Sequence, residues 1–220
     1  MIITGDLVDG IGIYSEQKDE LEITSAVKQY EKFAQLIEKI PSEMEVIISP
    51  GNHDALRIVE PQPVLSKEIS DNLKEMSNVH LVSNPSWVLL NDFIKVLIYH
   101  GYSYDYFINE IDHLKGILSY DNISQLMAFL LQKRHLVPTY GASPIFPEKD
   151  DFLVIKDIPN MMVSGHVHKS SIGEYKGIKL LSSSCWQGKT PFQERVGHNP
   201  DPGKIPIINL KDGKYGLLEF

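Results

Sequence analysis

The run SPGNHD at residues 49–54 constrains this chain more than any other stretch. It follows the apolar residues Val46, Ile47 and Ile48, so it predicts a buried strand that ends in a tight turn. The amide, imidazole and carboxylate that come next are unsuited to a core but suited to metal binding and acid–base chemistry. In an open α/β sheet, ligands bind beyond the carboxyl ends of the strands. The run therefore predicts part of a functional site at a strand end.

Three further apolar segments end in the same way. Asp6, His100 and the pair His166 and His168 each follow a predicted strand and lie next to a glycine. Glycine lets the backbone approach an ion closely, and Asp, Asn and His together suit divalent manganese, iron or zinc. Each piece alone has a plain structural interpretation, since a Gly-Asp pair is usually a turn and a lone histidine is usually a satisfied structural residue. Four such pieces at strand ends predict one convergent metal site.

The segments between the motifs alternate strand and helix, which predicts the α/β class. The opening strand, helix and strand form a βαβ unit, whose crossover implies parallel pairing. Later hairpins leave either a mixed sheet or two packed sheets. Strands are predicted at 2–4, 46–49, 79–82, 87–90, 94–98, 161–164, 172–175, 178–182, 205–210 and 215–220, and helices at 24–40, 66–76 and 122–134. No repeat or linker interrupts the chain, so we expect one domain over residues 1–220.

The composition excludes several classes of protein. No apolar run approaches the ~20 residues that span a membrane, and the N-terminus lacks the basic region of a signal peptide. The one cysteine, Cys185, rules out an intramolecular disulfide and a structural thiolate zinc site, and it fits a reducing, cytoplasmic location. The net charge of −8 gives no global support for nucleic-acid binding, although a bound cation would supply local positive charge.

As a set and in this order, the four motifs resemble those of the calcineurin-like metallophosphoesterase superfamily. Longer stretches are similar to the small-subunit family of archaeal family-D DNA polymerases: ITGDLVDGIGIY, IISPGNHDALRIVEPQP, QKRHLVPTYG, WQGKTPFQ and NPDPGKIPIINL. The resemblance implies a calcineurin-like fold of two packed mixed β-sheets flanked by helices, with residues 1–220 as a phosphodiesterase domain. It also implies a metal-dependent 3′→5′ DNA exonuclease that removes mispaired primer ends during replication.

The resemblance assigns the metal ligands residue by residue. Asp6 would bridge two divalent ions. Asn52, His100 and His166 would bind one ion, and His168 the other. The ions would be Mn²⁺ first, with Fe²⁺, Zn²⁺ or Ni²⁺ as alternatives, and they would hold a hydroxide for in-line attack on a DNA phosphodiester.

The resemblance also implies the catalytic groups and the partners. His53 would be the general acid that protonates the leaving 3′ oxygen, and Asp9 or Asp54 would orient its imidazole. The partners would be the large catalytic subunit, in a heterodimer, and the 3′ end of a DNA primer. No membrane partner is expected.

One element of the family pattern has no counterpart in this sequence. The family carries an Asp-x-His motif on the strand before the position of Asp6, and no such motif precedes Asp6 here. We therefore expect an N-terminal truncation or a misassigned start, without the first strand and without the upstream oligonucleotide-binding domain. With only Asp6 and His168 left for the first ion, we expect weak occupancy and low nuclease activity.

Three functions remain open at this stage. The first is the exonuclease subunit of a replicative polymerase. The second is a cytosolic phosphoesterase that acts on nucleotides or small phosphodiesters with the same metals. The third is a non-catalytic scaffold subunit, against which the retained ligands argue.

Several other residues have plainer interpretations. The aromatic cluster at 102–107 is expected to pack in the core or a lid, with stacking on single-stranded DNA as the alternative. Cys185 is expected to be buried beside Trp186. The histidines outside the motifs are expected to be structural or exposed: His80, His113, His135 and His198.

Overall fold

Two β-sheets pack face to face in the computed structural model, which describes residues 1–195 and 197–220. The smaller sheet consists of β1 (Ile2–Thr4), β2 (Val46–Ser49) and β3 (Val79–Leu81), in that order and parallel throughout. The strands of the larger sheet are β4 (Ser86–Leu90), β5 (Ile94–Ile98), β6 (Met161–Ser164), β7 (Ser171–Tyr175) and β8 (Ile178–Ser182). They lie in the order β4–β5–β6–β8–β7, with β5, β6 and β8 parallel and an antiparallel strand at each edge. A separate antiparallel hairpin pairs β9 (Lys204–Ile208) with β10 (Tyr215–Glu219).

Helices cover the outer faces of both sheets. The α-helices are α1 (Gln17–Glu20), α2 (Ala26–Ile37), α3 (Lys67–Lys74), α4 (Tyr104–Asn109), α5 (Ile123–Lys133) and α6 (Pro191–Arg195). An apolar cluster joins α2 and α3 to β2, and a larger one joins α4 and α5 to β5, β6 and β8. Within the described part of the chain, no helix combines the length and the apolar character needed to cross a membrane.

Both faces of the central strands are buried, which explains their continuous apolar sequences. Leu97 of β5 belongs to the cluster under α5, whereas its neighbours Val96 and Ile98 belong to the cluster between the sheets. The apolar residues of α5 recur at helical spacing and are fully buried: Ile123, Leu126, Met127 and Leu130. The layers are therefore helix, sheet, sheet and helix.

The carboxyl ends of β1, β2, β5 and β6 meet at one edge of this sandwich. Thr4 pairs in register with Ser49, and Ile98 pairs with Val163, so each sheet ends there in two parallel neighbours. His100 joins the sheets at this edge, because its Nδ1 lies 2.6 Å from the Thr4 backbone oxygen. The four polar motifs consequently emerge at one place.

The predicted α/β class with two packed sheets flanked by helices is confirmed. The family resemblance implies that both sheets are mixed, but the smaller one is parallel because helical crossovers join its strands in sequence. The helix predicted at 24–40 is present with shorter bounds, Ala26–Ile37. Two short helices, α1 and α6, lie where the sequence predicts loops or no helix.

The remaining core predictions divide. Tyr104 and Phe107 are buried beneath α5, which confirms packing for that part of the aromatic cluster. The prediction that Cys185 is buried is wrong, since the thiol lies in a partly exposed loop after β8. The neighbouring Trp186 is exposed and packs against Phe220, with ring centroids 5.5 Å apart. It therefore does not bury the cysteine in the core.

Truncation of a core residue tests the packing of α5. We expect Leu130→Ala to lower the free energy of unfolding by about 2–5 kcal/mol, because the fully buried side chain leaves a cavity. Leu36→Ala is the matched control on α2, since that leucine is 49% exposed and should change stability by less than about 0.5 kcal/mol. Urea unfolding followed by circular dichroism measures both. Equal losses in the two variants would contradict the assigned core.

Candidate metal centre

Three side chains, each from a different strand end, converge on the Nε2 atom of His100, which itself follows a fourth strand. The distances from this nitrogen are 2.9 Å to Asn52 Oδ1, 3.2 Å to His166 Nδ1 and 3.4 Å to Asp6 Oδ2. Ligand atoms of one divalent ion, each about 2.1 Å from it, lie roughly 3–4 Å apart. Asp6, His100 and His166 present ligand atoms that all lie within 4.8 Å of one another. The spacing of this cluster fits a single divalent cation.

The orientation of His100 is set by the opposite side of its ring. A backbone carbonyl only accepts hydrogen bonds, so the Nδ1 that lies 2.6 Å from the Thr4 oxygen carries the proton. A neutral His100 therefore presents the lone pair of Nε2 to the cluster. This is the arrangement in which a backbone oxygen fixes the tautomer of a metal-binding histidine. The His100 side chain is buried, so bulk water does not compete for the ring.

The charges around His100 favour a positive centre. Burial acts to raise the pKa of Asp6, but the neighbouring His100 holds it well below its usual range. Burial acts to lower the pKa of His100, but the Asp6 carboxylate and its hydrogen bond raise it to about 9. Each group thus stabilises the charged form of the other. Carboxylate and amide oxygens and imidazole lone pairs face one another around His100 Nε2. A proton or a bound cation between them would offset their mutual repulsion.

The backbone at these positions is bent to bring the groups together. Asp6, His166 and His168 have left-handed φ values of 53°, 66° and 53°, a region that side chains other than glycine rarely adopt. Gly51 lies so close that a Cβ on it would be 2.3 Å from Asp6 Oδ1. Backbone strain of this kind clusters at functional sites.

Asp54 holds the two strand ends of the smaller sheet together. Its buried carboxylate accepts hydrogen bonds from the backbone N–H of Gly51 at 2.7 Å and of Asp6 at 3.0 Å. It also accepts one from the Tyr30 hydroxyl of α2 at 2.8 Å. Burial and the nearby Asp6 raise the pKa of Asp54 to about 7, against the effect of these donors. The residue supports the loop that presents Asn52.

The contacts of His53 differ from the expected carboxylate partnership. Its Nδ1 lies 2.9 Å from the backbone oxygen of Asp9, and neither carboxylate fills that role. The Asp9 carboxylate instead accepts a hydrogen bond from Gln187 Nε2 at 2.6 Å. The carboxylate of Asp54 is engaged behind the loop. Asp9 therefore contacts the His53 imidazole through its backbone oxygen. Asp54 affects His53 only indirectly, by supporting the loop that carries it.

His168 lines the same cleft as the cluster. The volume of this cleft is about 640 Å³. Its Nδ1 is 2.8 Å from Gln193 Nε2 of α6. Burial lowers the pKa of His168 to about 4, so the ring is neutral at physiological pH and retains a lone pair. Among residues 1–195 and 197–220, one group of three or more His, Cys, Asp or Glu ligands has metal-binding spacing, and His168 is outside it.

The structure adds cleft residues that sequence reasoning missed. Asp105 lies 3.0 Å from His166 Nε2, and Gln187 and Gln193 contact Asp9 and His168. His198, expected to be structural or exposed, lines the cleft beside Tyr120, with ring centroids 5.0 Å apart. Both glutamines fall in the WQGKTPFQ stretch, which was a usable signal; neither Asp105 nor His198 has a motif of its own.

The comparison with protein families agrees with the position of these residues. The family model that describes the B-subunits of DNA polymerases alpha and epsilon matches residues 1–172, which contain all the cluster residues. The chain belongs to this DNA polymerase alpha/epsilon B-subunit family. The resemblance to polymerase small subunits seen in the sequence is confirmed.

The similar curated proteins of this family are archaeal. The DNA polymerase II small subunit of Archaeoglobus fulgidus is 44% identical over 208 residues, which cover 94% of this chain and 41% of that protein. The one of Methanothermobacter thermautotrophicus is 40% identical over 221 residues, which cover 100% of this chain and 44% of that protein. The chain thus spans less than half the length of these relatives.

Similar solved structures are more distant than these family members. An archaeal phosphodiesterase has 14% identity and a TM-score of 0.43, over 85% of this chain and 74% of that chain. A zinc-complexed Vps29 from Entamoeba histolytica has 13% identity and a TM-score of 0.37, over 84% of this chain and 86% of that chain.

Adding one carbon at Gly51 tests the close approach in the cluster. We expect Gly51→Ala to reduce Mn²⁺ affinity about 10–100-fold, the range seen when groups that support metal ligands are disturbed. The cause is that the new Cβ would lie 2.3 Å from Asp6 Oδ1 and displace it. Isothermal titration calorimetry measures the affinity. Gly188→Ala is the control, because a Cβ there meets open space, and a loss of affinity in both variants would contradict the prediction.

Proposed function

We propose that this chain is the phosphodiesterase domain of an archaeal DNA polymerase small subunit and that its site hydrolyses DNA from the 3′ end with divalent metal ions. The convergence of Asp6, Asn52 and His166 on His100 Nε2, with His53 in the same cleft, is the observation that supports it. The similarity to named polymerase small subunits supports DNA as the substrate.

The donor set supports a hard or borderline divalent cation, with Mn²⁺ the first candidate and Fe²⁺, Zn²⁺ or Ni²⁺ as alternatives. Asp6, Asn52, His100 and His166 would hold it. Such an ion, when bound, polarises the phosphodiester and lowers the pKa of water. The protein's own part is to fix the ligands, as Thr4 does for His100 and Asp54 does for the loop.

His53 has the geometry of a proton donor. Because the Asp9 carbonyl oxygen can only accept, the proton on Nδ1 of His53 is committed to that bond. A protonated His53 then has its second proton on Nε2, which is free to pass to the leaving 3′ oxygen. The backbone N–H of His53 also donates to Asp6 Oδ1 at 2.9 Å, which couples the acid to the cluster.

A second ion would be held less firmly than the first. Asp6 and His168 are the ligands proposed for it, and Gln193 already engages Nδ1 of His168. We therefore propose weak binding of the second ion and low nuclease turnover for these 220 residues. Full Mn²⁺-dependent exonuclease turnover by this chain alone would contradict that part of the proposal.

The proposed partners are a large catalytic subunit and a primer 3′ end. The relatives are named as small subunits, which supports a larger partner. Co-purification with a polymerase large subunit tests this.

A phosphoesterase that acts on nucleotides is the second candidate function, because the cleft volume of about 640 Å³ lies in the range of small-ligand sites. Hydrolysis of mononucleotide diesters at a rate equal to that of DNA would favour it.

Removal of one ligand tests the metal site. We expect His166→Ala to reduce Mn²⁺ affinity by more than about 100-fold, because loss of a direct ligand should exceed the effect of losing a supporting group. His80→Ala is the matched control, since this histidine is exposed and pairs with Glu45 at the other end of the smaller sheet. Metal content and calorimetry measure both variants. Equal affinities would refute the site.

Removal of His53 tests the assigned proton donor. We expect His53→Ala to lower turnover of a single-stranded DNA oligonucleotide about 10²–10⁴-fold, the usual contribution of general acid catalysis. Mn²⁺ affinity should stay within about twofold, because the side chain is not a ligand. Asn52→Ala should weaken both quantities, which separates the neighbouring roles. A His53→Ala variant that lost its metal would show that the histidine is a ligand instead.

A further inference from the structure

Asp105 approaches the metal cluster from outside the four motifs. It lies in the first turn of α4, and its Oδ2 is 3.0 Å from Nε2 of His166. The other ring nitrogen, Nδ1, is the atom of His166 that faces His100 at 3.2 Å. The two nitrogens of one imidazole therefore connect a carboxylate on one side with the cluster on the other.

From this geometry we infer that Asp105 is a positioning residue, which holds His166 in the tautomer that directs an unprotonated Nδ1 at the cation. The inference rests on the metal site proposed above. An ionised carboxylate only accepts hydrogen bonds, so the Nε2 that faces Asp105 carries the proton. The lone pair of a neutral His166 is then on Nδ1, where a cation needs it.

The position of Asp105 is itself fixed by a chain of hydrogen bonds. The Tyr120 hydroxyl donates to Asp105 Oδ1 at 2.7 Å, and Asn109 Nδ2 donates to that hydroxyl at 2.9 Å. Tyr102 also packs against the His166 ring, with ring centroids 5.6 Å apart. The carboxylate and the ring are thus both held, as outer-shell partners of metal-binding histidines commonly are.

Electrostatics agree with an ionised Asp105. Both of its oxygens face hydrogen-bond donors, the Tyr120 hydroxyl at Oδ1 and the His166 ring at Oδ2. The side chain is 52% exposed, so substitutions should be tolerated by the fold. Asp121 lines the same cleft and is 85% exposed, paired with Lys169 at 3.2 Å, and it has no bond to His166. It offers a control of equal charge.

The first experiment reads the tautomer directly in the metal-free protein. Nitrogen-15 NMR of the histidine side chains at neutral pH should show His166 protonated on Nε2 in the unsubstituted chain. Asp105→Ala should shift the ring toward a mixture of tautomers, and Asp121→Ala should leave it unchanged. Protonation on Nδ1 in the unsubstituted chain, or no change in Asp105→Ala, would overturn the inference.

The second experiment measures Mn²⁺ affinity by calorimetry in the same variants. Asp105→Ala should reduce affinity about 10–100-fold, whereas Asp121→Ala should change it by no more than about twofold. Asp105→Asn keeps an acceptor for Nε2–H and should recover most of the affinity; Tyr120→Phe should give a smaller loss than Asp105→Ala. Equal losses in Asp105→Ala and Asp121→Ala would reduce the effect to cleft charge and overturn the inference.

The two readouts also separate this inference from the proposed function. If His166→Ala retains Mn²⁺ affinity, the metal site fails whatever the tautomer is. If His166→Ala loses affinity but the tautomer does not depend on Asp105, the metal site stands and the positioning role fails. Thermal unfolding of Asp105→Ala in excess chelator checks that the variant is folded. If it is not, Asp105→Leu, which also lacks an acceptor but fills more of the space, replaces it in both experiments with the same expected losses.

Discussion

The hydrogen bond between His100 Nδ1 and the Thr4 backbone oxygen is the contact on which the site depends most. It crosses from the larger sheet to the smaller one at the edge where their strands end. It also decides the protonation of the ring, because a carbonyl oxygen cannot donate. One buried bond thus links the two sheets at this edge and turns Nε2 of His100 toward Asp6 and Asn52.

Two carboxylates, those of Asp6 and Asp54, lie close together near this bond. Their different hydrogen-bond partners give them different roles. Asp54 is enclosed by donors from Gly51, Asp6 and Tyr30, which use both of its oxygens. Asp6 presents one oxygen to the His53 backbone and the other to His100. The inner carboxylate therefore supports the loops, and the outer one faces the cleft. A cation beside Asp6 would offset the repulsion between the two.

The sequence predicts most of the fold and the core of the site, for a physical reason. The proposed ligands of the site follow the ends of apolar strands: Asp6, Asn52, His100 and His166. Because parallel strands bring their carboxyl ends to one edge of a sheet, the position of these residues in the sequence is enough to predict that they meet. Asp105 has no such signal. It lies on a helix 61 residues from His166, and only the packing of α4 brings them together. Contacts of this kind depend on tertiary distance, which local spacing does not encode.

The same limit applies to orientation within the site. The family resemblance implies a carboxylate beside the His53 imidazole, whereas the structure has the backbone carbonyl of Asp9 there. Main-chain atoms are present at every position, so their involvement leaves no trace in residue type. The parallel pairing of β1 with β2, by contrast, is predicted from the helical crossover between them, and the structure confirms it.

The origin of the proposed ligands in two different sheets would have a thermodynamic consequence. Asp6 and Asn52 come from the smaller sheet, and His100 and His166 from the larger, so an ion that contacts all four binds only the docked sandwich. The free energy of unfolding would then rise with the concentration of the ion, because the ion binds the native state and not the unfolded chain. An ion at a hundred times its dissociation constant adds about 2.7 kcal/mol to the stability of the native state. If the proposed site binds its ion in this way, the metal supply of the cell would help to set how much of the protein is folded.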